Sequence, residues 1–264
     1  MTGPGAAPRR PRILITNDDG IESRGLAALA EALRPLGEVV VIAPDSNQSA
    51  VGHLRTLWRP IRIRERMLVD GSPAWSVDGS PSDAVSLAFL GFVPGPFDLV
   101  AAGINLGANA GDDITYSGTV SAAMEGVING CPSMAISHED YAASDFRLAA
   151  SAATTVAAAI LARGLEPGQL LNVNVPAIAP SECEGIEVTR LGKRVYQDEL
   201  VRRLDPRGEP YYWFGGLPPT GEATPGTDLW ALVNRRVSIT PIHLDLTAER
   251  FLERLRGWEL KLPS

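Results

Sequence analysis

Residues 13–20 read Ile-Leu-Ile-Thr-Asn-Asp-Asp-Gly: a short apolar run, two adjacent carboxylates, and a glycine that lets the backbone turn. The run has the length and side-chain types of a buried strand, which puts Asp18 and Asp19 at its carboxyl end. In an open α/β sheet, ligands bind in the crevice beyond the strand ends, and a carboxylate pair there suits a hard divalent cation held through oxygen. Asn, Asp and Gly are also ordinary turn residues, and Asp is a favoured helix N-cap. Taken alone, Asn17 to Gly20 is therefore compatible with either a metal site or a plain turn.

Working outward, apolar runs alternate with helical patterns, the mark of a βαβ fold with a largely parallel sheet. Gly25 to Leu36 reads as a helix with Leu26, Leu29, Ala30 and Leu33 on one face, and Val39 to Ala43 as a second buried strand cut off at Pro44-Asp45. Arg59 to Asp70 alternates apolar and charged residues, predicting a half-exposed strand pair. Ser82 to Phe89 reads as a short helix, Phe97 to Ala102 as a strand ending in Gly103-Ile104-Asn105, Phe146 to Arg163 as an Ala-rich helix, and Leu170 to Val175 as a further strand. Near Pro180 the alternation stops. The expected organisation is a disordered leader over 1–12, a Rossmann-like α/β core over 13–179, and an extension over 180–264. In that extension Val237 to Thr240 reads as a closing strand and Thr247 to Trp258 as a terminal helix capped by Thr247.

Composition narrows the function. The 264 residues carry a net charge of −7, which argues against a nucleic-acid-coating surface but not against an anionic small substrate, because a bound cation reverses the local field. No stretch approaches the roughly 20 apolar residues that cross a bilayer, and the start lacks the apolar segment of a secretory signal. The expectation is a cytoplasmic protein. Cys131 and Cys183 fit neither a disulfide framework nor a metal-binding spacing.

Three further segments fall after strands and so belong near Asp18 and Asp19: residues 43–53, 103–109 and 116–121. They offer mainly neutral oxygen and amide groups. Two carboxylates, neutral ligands and open positions for water and a phosphoryl oxygen suit a cation that also binds phosphate. Ser117-Gly118-Thr119, entering the helical stretch from Val120 to Ile128, is either an anion cradle at a helix N-terminus or a simple N-cap. The chain has no Walker loop, and no Gly-x-Gly-x-x-Gly follows the first strand. His53 is a possible proton carrier or a structural hydrogen-bonder, His138 and His243 have weaker context, and Asp83 reads as a helix cap. Tyr116, Tyr211, Tyr212 and Trp213 are candidates for stacking on a base or for packing at a subunit contact.

Ile-Thr-Asn-Asp-Asp-Gly-Ile (15–21), Ala-Pro-Asp-Ser-Asn-Gln-Ser-Ala (43–50), Gly-Ser-Pro-Ser-Asp (79–83), Gly-Ile-Asn-Leu-Gly-Ala-Asn (103–109) and Tyr-Ser-Gly-Thr-Val-Ser-Ala-Ala (116–123), in this order, resemble the SurE family of survival-protein nucleotidases. The likeness continues through Leu171 to Pro176, Leu191 to Tyr196, Asp205 to Gly208, Tyr212-Trp213, Thr227-Asp228 and Ser238 to Pro241. It implies a metal-dependent phosphatase of nucleoside monophosphates, with some members also acting on 3′-nucleotides or short polyphosphate. It further implies one Mg or Mn ion per subunit, and a homodimer or homotetramer whose C-terminal extension exchanges between subunits. By motif match the metal ligands are Asp18, Asp19, Ser49 and Asn105, and the phosphate contacts Asn109, Ser117, Gly118 and Thr119. Asp18 and Asp19 are the catalytic carboxylates, Asp19 the base for an attacking water, with a covalent aspartyl-phosphate as the competing route. The chain departs from the family at Arg235-Arg236, where Gly-Tyr is commoner, and this bears on the local turn. Two rival readings are a non-catalytic Mg-binding regulatory module and a nucleoside hydrolase that releases free base.

Overall fold

The computed structural model describes residues 9–262. Most of the expected leader therefore lies outside the described residues, while Arg9 is seen forked onto the carboxylate of Asp98. Strand β1 (Arg12–Thr16) sends alternate side chains to opposite faces of a sheet. Ile13 and Ile15 join a cluster with Leu26, Leu29, Ala149 and Val156, whereas Leu14 joins Val85, Val120 and Ala123. Because both faces are covered, the strand is apolar throughout instead of alternating.

In chain order the first half continues with α1 (Arg24–Leu33), β2 (Glu38–Pro44), β3 (Ile63–Met67), β4 (Pro73–Val77), α2 (Pro81–Leu87), β5 (Leu99–Leu106) and α3 (Gly118–Ile128). Then follow β6 (Ser133–His138), α4 (Arg147–Arg163), β7 (Gln169–Val175), β8 (Ile186–Val188), β9 (Arg194–Leu204), β10 (Pro210–Gly221), α5 (Asp228–Val233), β11 (Val237–His243) and α6 (Glu249–Arg256). The main sheet has nine strands in the order β3-β4-β2-β1-β5-β6-β7-β11-β8. From β4 to β7 every neighbouring pair is parallel, with β3 antiparallel at one end and β11 antiparallel to β7 near the other. Residues of α1 and α4 line one face and those of α2 and α3 the other.

The position of β1 is what matters for function. Its two neighbours are β2, the next strand in sequence, and β5, to which the chain returns after building the β4 and β3 edge. Strand order reverses there, so the crevice beyond the carboxyl ends of β1, β2 and β5 is the topological switch point of the sheet. Strand β5 runs on past Ala102, where the sequence pattern ends, and a register shift against β6 between Ala102 and Asn105 re-aims its last residues.

Several expectations are corrected. Arg59 to Asp70 supplies one strand, β3, whose partner β4 follows Asp70. The closing strand read over Val237 to Thr240 is present as β11, which pairs with β7 from Ser238 to His243, and β8 docks on it. Helix α6 begins at Glu249 without a side-chain cap, because its N-cap position is Ala248, which has no side-chain acceptor, and Thr247 lies one residue earlier in a turn closed by its N–H on Asp245. Strands β9 and β10 pair only with each other and form a projecting two-stranded arm.

Candidate active site

Asn17 turns the chain out of β1 by bonding Gly20 twice, its amide donating to the Gly20 carbonyl and its carbonyl accepting the Gly20 N–H. This turn fixes Asp18 and Asp19 on different neighbours. Asp18 is buried, and its carboxylate meets the first turn of α3: Oδ1 accepts the Thr119 hydroxyl at 2.5 Å and Oδ2 the Thr119 N–H at 3.1 Å. The approach is close enough that a Cβ on Gly118 would stand 2.8 Å from that of Asp18, so only glycine fits at 118. Asp19 is half-buried, and its Oδ2 accepts the Leu106 N–H from the end of β5 at 3.2 Å.

Both carboxylates are held above the ordinary carboxylate range. Burial raises Asp18 against the opposing effect of the Thr119 hydrogen bonds. Burial, and then the charge of Asp18, push Asp19 up to about 6. No Lys, Arg or His among the described residues contributes a compensating charge to either group. A buried pair of like charges without a counter-ion is costly, and a divalent cation relieves it.

The three neutral loops converge as the sequence predicts. A cleft of about 340 Å³ is lined by Asp18, Ser49, Asn105, Asn109 and Ser117, with Tyr116 and Tyr141 on its walls. The 45–50 loop is tied to the strand end by the Gln48 N–H on the Asp18 carbonyl, which leaves Ser49 exposed at the rim. Asn105 spends its amide nitrogen on the Gly107 carbonyl at 2.7 Å, so its side-chain oxygen is what it can offer a cation. Asn109 is locked from three sides: its N–H and carbonyl bond Asn174 and Asn172, and its amide donates to Ser137. Ser117 is the N-cap of α3, its hydroxyl accepting the Val120 N–H.

Thr119 departs from its expected role. Its hydroxyl and N–H are both committed to Asp18 and the residue is fully buried, so here it positions a carboxylate instead of facing the cleft. The anion at the α3 N-terminus is Asp18 itself. His53 bonds the buried Glu125 at 3.0 Å, which also accepts from Ser86 and Asn129, so its ring anchors the loop that carries Ser49. His138 accepts the Asp140 N–H, and His243 lies exposed on β11. Asp83 forms a capping box with Ser80, as expected, and also receives the Thr56 N–H.

Two acidic residues around the cleft have no role assigned from the sequence, although Thr227-Asp228 is one of the family-like stretches. Asp113, on its wall, is neutralised by Arg194 and accepts the Tyr196 hydroxyl. Asp228, fully buried, receives the N–H groups of Gly111 and Gly192 and ties the segment behind the cleft to α5. No grouping of three or more His, Cys, Asp or Glu side chains suited to a metal occurs among the described residues. The donor set is thus two carboxylates plus neutral oxygens, which suits Mg or Mn better than a thiolate- or imidazole-seeking ion.

Comparison with known proteins agrees with this geometry. The family model described as Survival protein SurE matches residues 13–198. The chain belongs to the SurE family. It is 52% identical over 249 residues to the 5′-nucleotidase SurE of Chloroflexus aggregans, an alignment spanning 94% of this chain and 98% of that relative. It is 51% identical to 5′-nucleotidase SurE 1 of Thermus thermophilus, over 93% of this chain and 97% of that protein. Among solved structures, the SurE protein from Aquifex aeolicus superposes with a TM-score of 0.81 at 41% identity, over 95% of this chain and all of that one. The SurE match begins at Ile13, the first residue of the stretch that carries the carboxylate pair.

Proposed function

We propose that this SurE-family chain is a metal-dependent phosphomonoester hydrolase that releases phosphate from nucleoside 5′-monophosphates. The observation that carries the reading is the uncompensated carboxylate pair at the switch point of the sheet, in a chain about half identical to curated 5′-nucleotidases. Asp18, Asp19, Ser49 and Asn105 would hold one Mg or Mn ion. When bound, the ion draws charge from a phosphoryl oxygen and acidifies water.

The protein's own groups do the rest. Thr119 clamps Asp18 so that its carboxylate cannot swing. Asn109 and Ser117 face the remaining phosphoryl oxygens, while the Gly118 and Thr119 N–H groups are turned onto Asp18. Asp19, held ionised beside the cation, would accept a proton from the attacking water.

We also read the two aromatic-bearing faces of the β9–β10 arm and the apolar residues of α6 and the turn after it as surfaces covered by further copies of the chain, giving a homodimer or homotetramer. Phe214 and Trp213 are 92% and 62% exposed, and Trp258 is 55% exposed, which suits a covered face better than open solvent. Two free cysteines, one of them buried, suit a cytoplasmic location. No helix among the described residues is long and apolar enough to cross a membrane.

The test is phosphate release from a panel of 5′- and 3′-nucleoside monophosphates with Mn, Mg or EDTA. Release that requires metal supports the reading. Free base appearing in place of phosphate points to a nucleoside hydrolase, and metal-dependent nucleotide binding without turnover points to a regulatory module.

A further inference from the structure

The phosphate end of the cleft is accounted for, but its aromatic wall has no structural task. Tyr141 lies in the turn after β6 and lines the same cleft as Asp18, Asn105 and Asn109. Its ring is laid against the backbone of Gly107: a Cβ there would stand 2.2 Å from Cε1 of the ring. Gly107 has a φ of +100°, in the region that favours glycine, and it accepts the amide of Asn105 through its carbonyl. The ring therefore rests on the segment that joins two of the proposed ligand-contacting residues, and its position is coupled to theirs.

A tyrosine ring packed for structure ordinarily buries both faces, and its hydroxyl finds a partner. Tyr141 does neither. It is 67% exposed, and its hydroxyl makes no hydrogen bond among the described residues. One face is backed by a rigid glycine-containing turn, and the other is open to a cleft whose far end is set for a phosphate. A flat, apolar, π-faced group joined to a phosphate by a sugar is the ligand chemistry that fits.

We propose that Tyr141 is the platform on which the base of the nucleotide substrate stacks, making it a specificity-determining residue that discriminates nucleoside monophosphates from base-free phosphate esters. The inference rests on the nucleotidase reading and adds the part of the substrate that the motif residues do not touch. Base–aromatic stacking tolerates every base because each has a π-face, so the platform selects for the presence of a base and only weakly for its identity.

The test compares adenosine 5′-monophosphate with ribose 5-phosphate, which keeps the sugar and phosphate but lacks the base, for wild type, Tyr141→Ala and Tyr141→Phe with saturating Mn. Tyr141→Ala raises KM for the nucleotide by about tenfold with kcat nearly unchanged, leaves ribose 5-phosphate kinetics unchanged, and Tyr141→Phe retains the wild-type KM. Calorimetric Kd values for the nucleotide are measured on the same three proteins, so that stacking is read even without turnover. Phosphate release from neither substrate overturns the phosphatase reading, and the Kd ratio then decides the stacking. An unchanged nucleotide KM and Kd in Tyr141→Ala overturns the platform while the phosphatase reading stands.

Discussion

Around the carboxyl end of β1 the chain buries charge without a counter-ion, whereas along β9 and β10 it exposes aromatic surface without a cover. Asp18 is 3% exposed and faces no cation among the described residues, while Phe214 on the arm is 92% exposed. Both arrangements are unfavourable in the isolated chain, for opposite physical reasons: one withdraws a charge from water, the other leaves apolar surface in it. The difference indicates what each region waits for. A buried carboxylate pair is satisfied by a small hard cation, and a flat aromatic strip only by another extended surface.

The sharpest way to break the first half of that comparison is to remove the charge. Asp18→Asn and Asp19→Asn are each expected to lower metal-dependent phosphate release by about 10³-fold or more, the order of losing a preorganised charge-stabilising group. Steady-state kinetics with Mn at neutral pH, alongside circular dichroism to show that the variants fold, measures this. Near-wild-type turnover in Asp18→Asn would sink the site as drawn.

Metal addition comes next in size. An ion that binds only the folded protein stabilises it by about 2.7 kcal/mol at a hundred times its Kd, so Mn or Mg is expected to raise Tm in EDTA-treated protein, and Asp18→Asn to abolish the rise. The pH dependence of the metal-free protein follows from the same carboxylates. Asp19 has a folded pKa of about 6 against the ordinary 3.8, so the folded state holds the proton more tightly. Its contribution is full below pH 3.8 and is lost as pH rises through about 6, an effect of at most about 3 kcal/mol by linkage, reduced by solvent screening at this half-buried group. Urea titrations from pH 4 to 7 in EDTA should show stability falling across that window, and Asp19→Asn should flatten the slope. With metal bound the slope should shrink or reverse, because the cation selects the ionised form.

The arm is tested by charge placed where the aromatic face is bare. Phe214→Asp is expected to weaken self-association by roughly 30-fold or more, the scale of an interface hot spot near 2 kcal/mol. Sedimentation velocity across a concentration series measures it. A wild-type chain that is monomeric at all concentrations would instead leave the arm as a surface for a different partner.

How much of this was legible in the sequence depends on the range of each interaction. The apolar runs of β1, β2, β5 and β7 announce themselves because both faces of the sheet are covered, and the Ser80–Asp83 capping box is visible because its partners are three residues apart. Strand β6 is short, with polar residues at both ends, Ser133 and His138, so no periodicity marked it. Strands β9 and β10 are charged and aromatic on exposed faces, which resembles an irregular extension until they pair with each other. At the site, motif order nominated candidate residues but not the contacts they make. Thr119 clamps Asp18 across 101 residues of chain, Glu125 takes His53 across 72, and Asp228 receives Gly111 across 117. No local pattern encodes such pairs.

The smallest effect lies at the turn between α5 and β11. Arg235 has a φ of 55°, in the left-handed region, at a position where glycine is expected by resemblance to the family. It partly offsets that conformation by an ion pair with Glu184 at 2.5 Å, but the pair is about half exposed. A left-handed non-glycine residue costs roughly 1–2 kcal/mol, a surface pair contributes about 0–1 kcal/mol, and glycine's extra freedom in the unfolded chain costs about 0.4–1 kcal/mol. For Arg235→Gly these contributions nearly cancel, so stability should change by less than about 1 kcal/mol. Arg235→Ala removes the pair but keeps the strained φ, so it should be the less stable of the two by about 0.5–1 kcal/mol. Denaturant midpoints for the two variants decide the sign: if alanine is as stable as glycine, the turn relaxes away from its left-handed conformation, and β11 enters the sheet without the constraint that the structure shows at Arg235.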